Sequence, residues 1–347
     1  MRIALTVDPE IPVPPVDYGG IERIVDMLAR GLIAHGHNVT VFAHPDSTTS
    51  GRLIPWAGRS SHSVPDTVRN AAMLARHAIS EQFDLVHSFS RIAYLTPLLP
   101  GSIPKLMTYQ REITRRSVQL GHALSRGSLW FTAISRWMMR DVQDVGTWRL
   151  VFNGVPLGSY SFQPDPGPDA PLVFLGRLEA IKGPHIAIEI ARRASVPLVI
   201  AGSIAPEHRA WFDATVAPHV DGVQVAYVGP VNDSQKNELL GRASALLMPI
   251  LWEEPFGIVM AEAMACGVPV LGFRRGAVSE VVEHGLTGFL ADDVNGLVNA
   301  VGRLGEIDRA SCRARVERLF SHTSVVDSYL RVYSEMLAAR APTISRQ

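Results

Sequence analysis

The sequence is short of lysine, of cysteine and of long apolar runs. Of its 347 residues three are lysines, and the two cysteines, Cys266 and Cys312, stand apart without the spacing of zinc or redox motifs. Isolated thiols are typical of a reducing compartment, so we expect a cytoplasmic protein. We also expect neither a signal peptide nor a transmembrane segment, because residues 2–7 form a strand pattern at once and no apolar run approaches the roughly 18 residues that a membrane span needs.

Net charge is absent as well, since 33 basic residues face 33 acidic ones. This balance argues against a nucleic-acid partner. The first 155 residues carry about +4 and the remainder about −4, which would let an acidic acceptor, or a weakly bound membrane surface, prefer the first half. At 347 residues the chain exceeds the size at which one core usually stops growing, so two domains are expected.

The most informative stretch is residues 252–270, WEEPFGIVMAEAMACGVPV. An apolar run at 245–250 predicts a buried strand before it, and the good helix formers of 258–265 predict a helix that Gly267 ends. The junction between strand and helix points several backbone N–H groups and the positive end of a helix dipole at one place, which suits a phosphate.

Two carboxylates flank that junction. Glu254 lies on the loop before the helix, and Glu262 lies eight positions further on, inside it. Carboxylates accept hydrogen bonds and donate none, so they suit hydroxyl donors such as sugars. Taken singly, either residue could equally be an ordinary acid on a solvated surface.

Two cations come from one loop earlier in the second half. The strand pattern at 172–175 is followed by Arg177 and then by Lys182, before a helix pattern at 185–194. At the carboxyl end of a strand both side chains could face one bound group. The alternative is that they are exposed residues without a role.

The first half opens as a strand, a helix and a strand at residues 2–7, 21–34 and 39–43. Gly19 and Gly20 separate the first strand from the helix, where they would let a phosphate approach the backbone or simply form a turn. They are not the dinucleotide fingerprint, which needs G-x-G-x-x-G and an acid after the second strand. Further short apolar runs at 83–88, 105–109, 131–134 and 150–152 predict more strands of one parallel sheet.

His87 follows one of these runs and would lie at the carboxyl end of a strand, where open sheets bind ligands. It is a candidate for acceptor contact or a satisfied structural histidine. Near Gln110, a small basic cluster of Arg111, Arg115 and Arg116 could hold an acidic group or form a solvated face.

The proline- and aspartate-rich segment 163–171 resembles a linker, and we place the domain boundary there. The last long pattern, from Val325 to Leu337, has the apolar spacing of an amphipathic helix. No D-x-D motif occurs in a strand context, and the neighbouring Asp292 and Asp293 suit one metal ion poorly, so we expect no metal requirement.

The 252–270 stretch is similar to the E-x7-E signature of the family-4 retaining glycosyltransferases. Other strings resemble that family in the same order along the chain, namely YGGIE, DLVH, FLGRLEAIKG, GAVSE and GLTGFL. The resemblance implies two facing Rossmann-like domains of the GT-B type with an interdomain cleft. Residues 1–162 would form the acceptor domain and 163–321 the donor domain, and a C-terminal crossover helix at 322–340 would pack back.

The resemblance also implies a role for each site residue. Glu254 would bind hydroxyls of the transferred sugar, and Glu262 the ribose hydroxyls of the nucleotide. Arg177 and Lys182 would bind the donor diphosphate, over which the Gly19–Gly20 loop would close. The remaining contacts, from backbone groups to the sugar and the β-phosphate, would come from Phe256, Gly257, Ile258 and Val259.

The implied activity is retaining transfer of a sugar from a nucleotide-diphosphate sugar, with UDP-sugars favoured. The acceptor would be a sugar, a lipid-linked glycan or a small molecule, and no cofactor would be needed beyond the co-substrate. We expect a same-face reaction in which the leaving phosphate takes the acceptor's proton, with Glu254 as a covalent nucleophile the less favoured variant.

One departure keeps alternatives open, because Gln110 stands where many relatives have the histidine of T-x-H, and glutamine cannot act as a base. A non-catalytic nucleotide-sugar-binding protein therefore remains an alternative, as does an epimerase of the same fold. A phosphorylase would need a pyridoxal lysine, for which this lysine-poor chain shows no motif.

Overall fold

The structure is a computed structural model that describes residues 1–16 and 19–340. The tyrosine of the YGGIE string, Tyr18, therefore lies outside the described residues, together with Asp17 of the same predicted loop. Contacts divide the chain into two units. The first comprises Met1–Asn153 and the chain from His322 onward, and the second is Gly154–Ser321.

The boundary between the units falls nine residues before the one predicted at 162/163. The reason is that the segment ahead of the linker is already bonded to the second unit. The Tyr160 hydroxyl donates to Glu262 Oε1 at 2.7 Å, and the Ser161 N–H donates to Asn237 Oδ1 at 2.8 Å. Composition reveals the linker-like stretch at 163–171 but not these two bonds.

The strands of the described residues are, in chain order, β1 Arg2–Thr6, β2 Asn38–Ala43, β3 Arg52–Pro55, β4 Leu85–Ser88, β5 Lys105–Tyr109, β6 Leu129–Ala133, β7 Thr147–Leu150, β8 Leu172–Leu175, β9 Leu198–Ala201, β10 Val225–Tyr227, β11 Ala245–Met248, β12 Val270–Phe273 and β13 Gly288–Ala291.

The α-helices are α1 Gly20–Ala34, α2 Val64–Ser80, α3 Arg115–Ser125, α4 Arg136–Met139, α5 Pro184–Ala194, α6 Arg209–Thr215, α7 Asp233–Gly241, α8 Ile258–Ala265, α9 Val278–Val281, α10 Val294–Val301, α11 Arg309–Leu319 and α12 His322–Arg340. Short 3₁₀ segments occur at Ile92–Leu98, Leu157–Ser159, Ala180–Lys182, Pro206–His208, Ala217–His219 and Leu304–Glu306.

The first unit contains a parallel sheet in the order β3-β2-β1-β4-β5-β6-β7. Strand β1 lies between β2 and β4, with Ile3 opposite Val39 on one side and Leu85 on the other. Helix α12 belongs to this unit and packs against α1. A Cβ on Gly31 of α1 would lie 2.4 Å from a methyl group of Val326 on α12, so this close packing requires glycine.

The second unit contains a parallel sheet in the order β10-β9-β8-β11-β12-β13. The strand order reverses between β8 and β11, which are paired neighbours. In open parallel sheets, ligands bind outside the carboxyl ends of the strands at such a reversal. The loops that follow Leu175 and Met248 are therefore where a site is expected.

The prediction of two parallel α/β domains is confirmed. Strands β5 and β8 and helix α8 have the predicted bounds, whereas β7 ends at Leu150, where a strand at 150–152 was expected. Both cysteines are buried, and burial raises the pKa of each thiol to about 12, so neither is a reactive thiolate. Within the described residues, no helix combines the length and the apolar character needed to cross a membrane.

Candidate active site

The loops that follow β8 and β11 are joined to each other at the point where the sheet order reverses. Gly183 has a φ of +78°, and a Cβ there would lie 2.1 Å from the carbonyl oxygen of Pro249. The Leu251 N–H donates to the Ile181 carbonyl at 2.8 Å. Glycine at 183 thus permits the backbone contact that brings Lys182 beside the loop carrying Glu254.

Lys182, Trp252 and Glu254 form one cluster, which we call the Glu254 cluster. Oε2 of Glu254 accepts a hydrogen bond from Lys182 Nζ at 2.7 Å and another from Trp252 Nε1 at 3.0 Å. The Lys182 ammonium also lies 4.4 Å from the centre of the Trp252 ring, within range of a cation–π contact. Among the described residues none donates to Oε1, so that oxygen can accept from a ligand hydroxyl.

Glu262 is held in a similar way by Tyr160 and Lys236, and we call this group the Glu262 cluster. Its Oε1 accepts from the Tyr160 hydroxyl at 2.7 Å and from Lys236 Nζ at 2.6 Å. Burial raises the pKa of Tyr160, and the charge of Glu262 raises it further, so the phenol stays protonated and remains a donor. In the part of the chain that the structure describes, nothing donates to Oε2, which is therefore the oxygen presented to a ligand.

Helix α8 begins between the two clusters. Gly257 precedes it with a φ of +73°, and Phe256 is buried with its ring centre 5.6 Å from that of Phe320. No side chain of the described residues caps this helix. The first-turn N–H groups of Ile258 and Val259 are therefore available to an anion.

A third loop, which follows β12, contacts the backbone of Glu254. Gly276 has a φ of +55°, and a Cβ there would lie 2.3 Å from the carbonyl oxygen of Glu254. The N–H of Ala277 donates to that carbonyl at 2.8 Å. Residues 276–280, the GAVSE string, thus hold the backbone of Glu254 in place.

Arg177, the other predicted cation, is paired with Glu179 in its own loop. The guanidinium lies 2.9 Å from Glu179 Oε1, and His208 Nε2 lies 3.2 Å from Oε2. The Glu179 side chain is 7% exposed and that of Arg177 is 47% exposed, so the arginine has a solvent-facing portion that a ligand can reach.

The glycine pair belongs to the first unit, at the start of α1. A Cβ on Gly19 would lie 2.6 Å from the Pro15 side chain and 2.8 Å from Glu22 Oε2, whereas Gly20 faces open space. Glycine at 19 is thus required by local crowding. The open surface at Gly20 leaves the backbone accessible to a ligand.

Two carboxylates near this helix start were not anticipated. Glu22 is buried, and Asp8, just past the carboxyl end of β1, has a buried Oδ1 with no hydrogen-bond partner among the described residues. Burial raises the pKa of both groups, and the charge of Glu10 raises that of Asp8 further. Burial of this kind depends on tertiary packing and has no local sequence signal.

His87 does not fit the predicted acceptor contact. The ring is fully buried, with Nδ1 2.6 Å from the Tyr333 hydroxyl and Nε2 2.6 Å from Thr108 Oγ1. Both nitrogens are therefore engaged inside the first unit, partly by helix α12. The structural alternative describes His87 better than the acceptor role.

Burial lowers the pKa of His87 well below 6.5. The folded protein therefore keeps this imidazole neutral below pH 6.5, while the unfolded chain takes up a proton. We expect this one group to cost about 1.4 kcal/mol of unfolding free energy for each pH unit below about 6.5. Urea unfolding at pH 7 and pH 5.5 should show a smaller acid loss for His87→Gln than for the wild type, and equal losses would contradict the assignment.

Gln110 and one arginine of the basic cluster near it, Arg115, bond to other side chains of the first unit. The side-chain amides of Gln110 and Asn153 bond to each other reciprocally, with both distances 2.8 Å. Arg115 makes a two-pronged contact with Asp144 at the surface. The three arginines of the predicted cluster are all exposed, and Arg115 is paired with Asp144.

Sequence reasoning missed Tyr160, Lys236 and Trp252, the partners that hold the two glutamates. Trp252 could have been noticed as an N–H donor two positions before Glu254, and Lys236 as one of only three lysines. Tyr160 gave no signal, because it lies 102 positions from Glu262. No group of three or more His, Cys, Asp or Glu side chains suited to a metal ion occurs among residues 1–16 and 19–340.

Comparison with known proteins matches both halves of the chain to glycosyltransferase families. Residues 18–158 match the model of Glycosyltransferase Family 4, and residues 162–308 match that of Glycosyl transferases group 1. Among curated proteins, the chain is 27% identical to a glycogen synthase of Mycobacterium tuberculosis over 367 residues, which cover 88% of this chain and 87% of the relative.

Solved structures agree on the fold. A sucrose-phosphate synthase from Thermosynechococcus elongatus superposes with a TM-score of 0.79 at 22% identity, covering 97% of this chain and 99% of that one. Anabaena HepE, solved in complex with UDP and glucose, gives 0.72 at 17% identity, covering 96% and 100%. The fold is thus of the GT-B type. The chain is a family-4 glycosyltransferase, whose second half matches the group 1 glycosyltransferase model.

Proposed function

We propose that the protein transfers a sugar, with retention, from a nucleotide-diphosphate sugar to an acceptor hydroxyl without a metal ion. The observation that carries the proposal is the pair of glutamates on either side of the start of α8. Each has one oxygen held by a lysine and an aromatic donor and the other oxygen open to a ligand. Two preset acceptors on either side of an anion-binding helix start suit a nucleotide sugar.

The donor would lie on the second unit. Oε2 of Glu262 would accept from the ribose hydroxyls, and Oε1 of Glu254 from hydroxyls of the sugar. The diphosphate would contact the N–H groups of Ile258 and Val259 together with Lys182 and Arg177. A UDP-sugar is the favoured donor, which is supported by the UDP and glucose named for HepE.

In the proposed reaction the bond between the anomeric carbon and the phosphate oxygen breaks, and the acceptor oxygen bonds to the same face of that carbon. The acceptor's proton passes to the departing phosphate, and the nucleoside diphosphate leaves. Lys182 and Arg177 would stabilise the charge that develops on the phosphate. Glu254 as a covalent nucleophile is the less favoured variant.

Nucleotide release that depends on an acceptor tests the function. UDP-, GDP-, ADP- and dTDP-sugars are first screened for binding by ligand-observed NMR, and the bound donor is then incubated with sugar, lipid-linked and small-molecule acceptors. We expect a UDP-sugar to bind and to release UDP only when acceptor is present, with the anomeric configuration kept in the product. Binding without any release would favour the non-catalytic alternative, and interconversion of the donor sugar without an acceptor would favour an epimerase.

Removal of metal ions should leave turnover intact. The diphosphate charge would be met by two side chains and a helix end, so no divalent cation would be required. Initial rates after treatment with EDTA should equal those of the untreated enzyme, with a metal-dependent glycosyltransferase assayed in parallel to show that the chelator was effective. Activity that is lost and then restored by Mg²⁺ or Mn²⁺ would contradict this expectation.

A further inference from the structure

Trp252 contacts both members of the ion pair in the Glu254 cluster. Its indole N–H donates to Glu254 Oε2, and its ring face lies against the Lys182 ammonium. Lys182 donates to the same carboxylate oxygen. One oxygen of Glu254 therefore has two donors of different origin, since Trp252 lies in the same loop as Glu254 and Lys182 lies 72 positions away in another loop.

The two donors would respond differently to a bound diphosphate. A lysine carries a single positive charge, and in the proposed function the charge of Lys182 stabilises the leaving phosphate. Its bond to Glu254 must then weaken, because one ammonium cannot serve both anions equally well. The Trp252 N–H is neutral and lies only two residues from Glu254. It is not drawn to the diphosphate by charge, so its bond to Glu254 would remain when that of Lys182 weakens.

We infer that Trp252 is a positioning residue that keeps Glu254 in place for the sugar while Lys182 changes partner from the carboxylate to the diphosphate. The inference rests on the proposed function. Trp252 would not touch the reacting atoms itself but would act through Glu254. With Oε2 still held by the indole, Oε1 would continue to face the sugar hydroxyls during the step in which charge moves to the phosphate.

Burial supports this assignment over a purely packing role. Trp252 is partly exposed and lies on a loop, whereas Phe256 four residues later is buried in the core of the unit. A large ring that is incompletely buried gains less from packing than a core residue does. Its polar atom, in contrast, is fully used by the bond to Glu254.

The test is a double-mutant cycle measured by transfer kinetics with a UDP-sugar donor. Trp252→Phe keeps a ring beside Lys182 and removes the N–H, and we expect kcat to fall by about tenfold to a hundredfold, the value of a hydrogen bond to a charged group. In a Glu254→Gln background the same change should alter kcat by less than about threefold, because the partner through which Trp252 acts is already changed. Trp211→Phe is the matched control and should retain wild-type kcat, since that ring makes an edge contact with His185, which is not a member of the cluster.

Two outcomes would overturn the inference. One is a Trp252→Phe enzyme with wild-type kcat, and the other is a loss that remains undiminished in the Glu254→Gln background, which would mean that Trp252 does not act through Glu254. Urea unfolding of each variant shows whether a loss of kcat reflects loss of fold. A wild-type enzyme that transfers no sugar from any donor would instead contradict the proposed function, and this result would be evident before any variant is assayed.

Discussion

Replacing Lys182 by alanine is expected to lower kcat by about a hundredfold to a thousandfold. This is the cost of losing one preorganised group at a developing oxyanion, about 2.7–4 kcal/mol. Lys182 has a 17% exposed side chain, and its ammonium donates to Glu254 Oε2 at 2.7 Å. Since the diphosphate gains charge as the glycosidic bond breaks, the lysine should stabilise the transition state more than the bound donor, and the donor KM should change less than kcat.

The structure adds a complication to this experiment, because alanine at 182 also removes the ion-pair partner of a nearly buried carboxylate. Breaking such a pair destabilises a fold by up to about 3–5 kcal/mol. The variant must therefore be shown to be folded at the assay temperature, and Lys182→Met, which keeps the apolar stem, should show the same fall in kcat. Arg193→Ala is the control: it removes an exposed cation of the same unit and should leave kcat and KM unchanged. A rise in KM alone would show that Lys182 merely holds the ground state.

Replacing Glu262 by alanine is expected to weaken binding of UDP by about tenfold to a hundredfold for each ribose hydrogen bond that is lost. A hydrogen bond to a charged group is worth about 1.5–3 kcal/mol. The oxygen that would accept from the ribose hydroxyls is Oε2, because Tyr160 and Lys236 already donate to Oε1. Isothermal titration calorimetry with UDP measures this change without any need for turnover.

Two companion variants show which part of Glu262 matters. Glu262→Gln keeps one oxygen acceptor and should lose less affinity than alanine. Tyr160→Phe removes a donor from Oε1 and leaves Oε2 unchanged, so its effect should be smaller still. An alanine variant that binds UDP as tightly as the wild type would remove Glu262 from the donor site.

The sequence predicted the helix of the site better than the contacts within it. Helix α8 has the predicted bounds because Gly257 and Gly267 mark its two ends, and the strands before and after it are short apolar runs. Local chemistry also suggested that Glu254 and Lys182 are functional. It could not show that they bond to each other, because the bond depends on β8 and β11 being neighbours in the sheet.

Elements with weak local patterns were missed or misplaced. Strand β7 is at the edge of its sheet with all four residues only partly buried, so no apolar run marks it. Helix α2 exposes Val64 and Val68, which obscures its apolar face, although the Ser63 cap and the proline in its first turn were visible signals. His87 was open to two interpretations, and Tyr333, 246 positions later, decides between them.

The three lysines are bonded in ways that make amine labelling informative about the proposed donor site. Lys105 is fully buried and donates to the carbonyls of Leu98 and Gly101, while Lys182 and Lys236 are each paired with a site glutamate. Bound UDP would cover Lys182 and Lys236 and would shield their amines from an acylating reagent. Because both lie in the proposed donor site, intact-mass measurement of amine labelling with and without UDP would record occupancy of that site almost without background from other lysines.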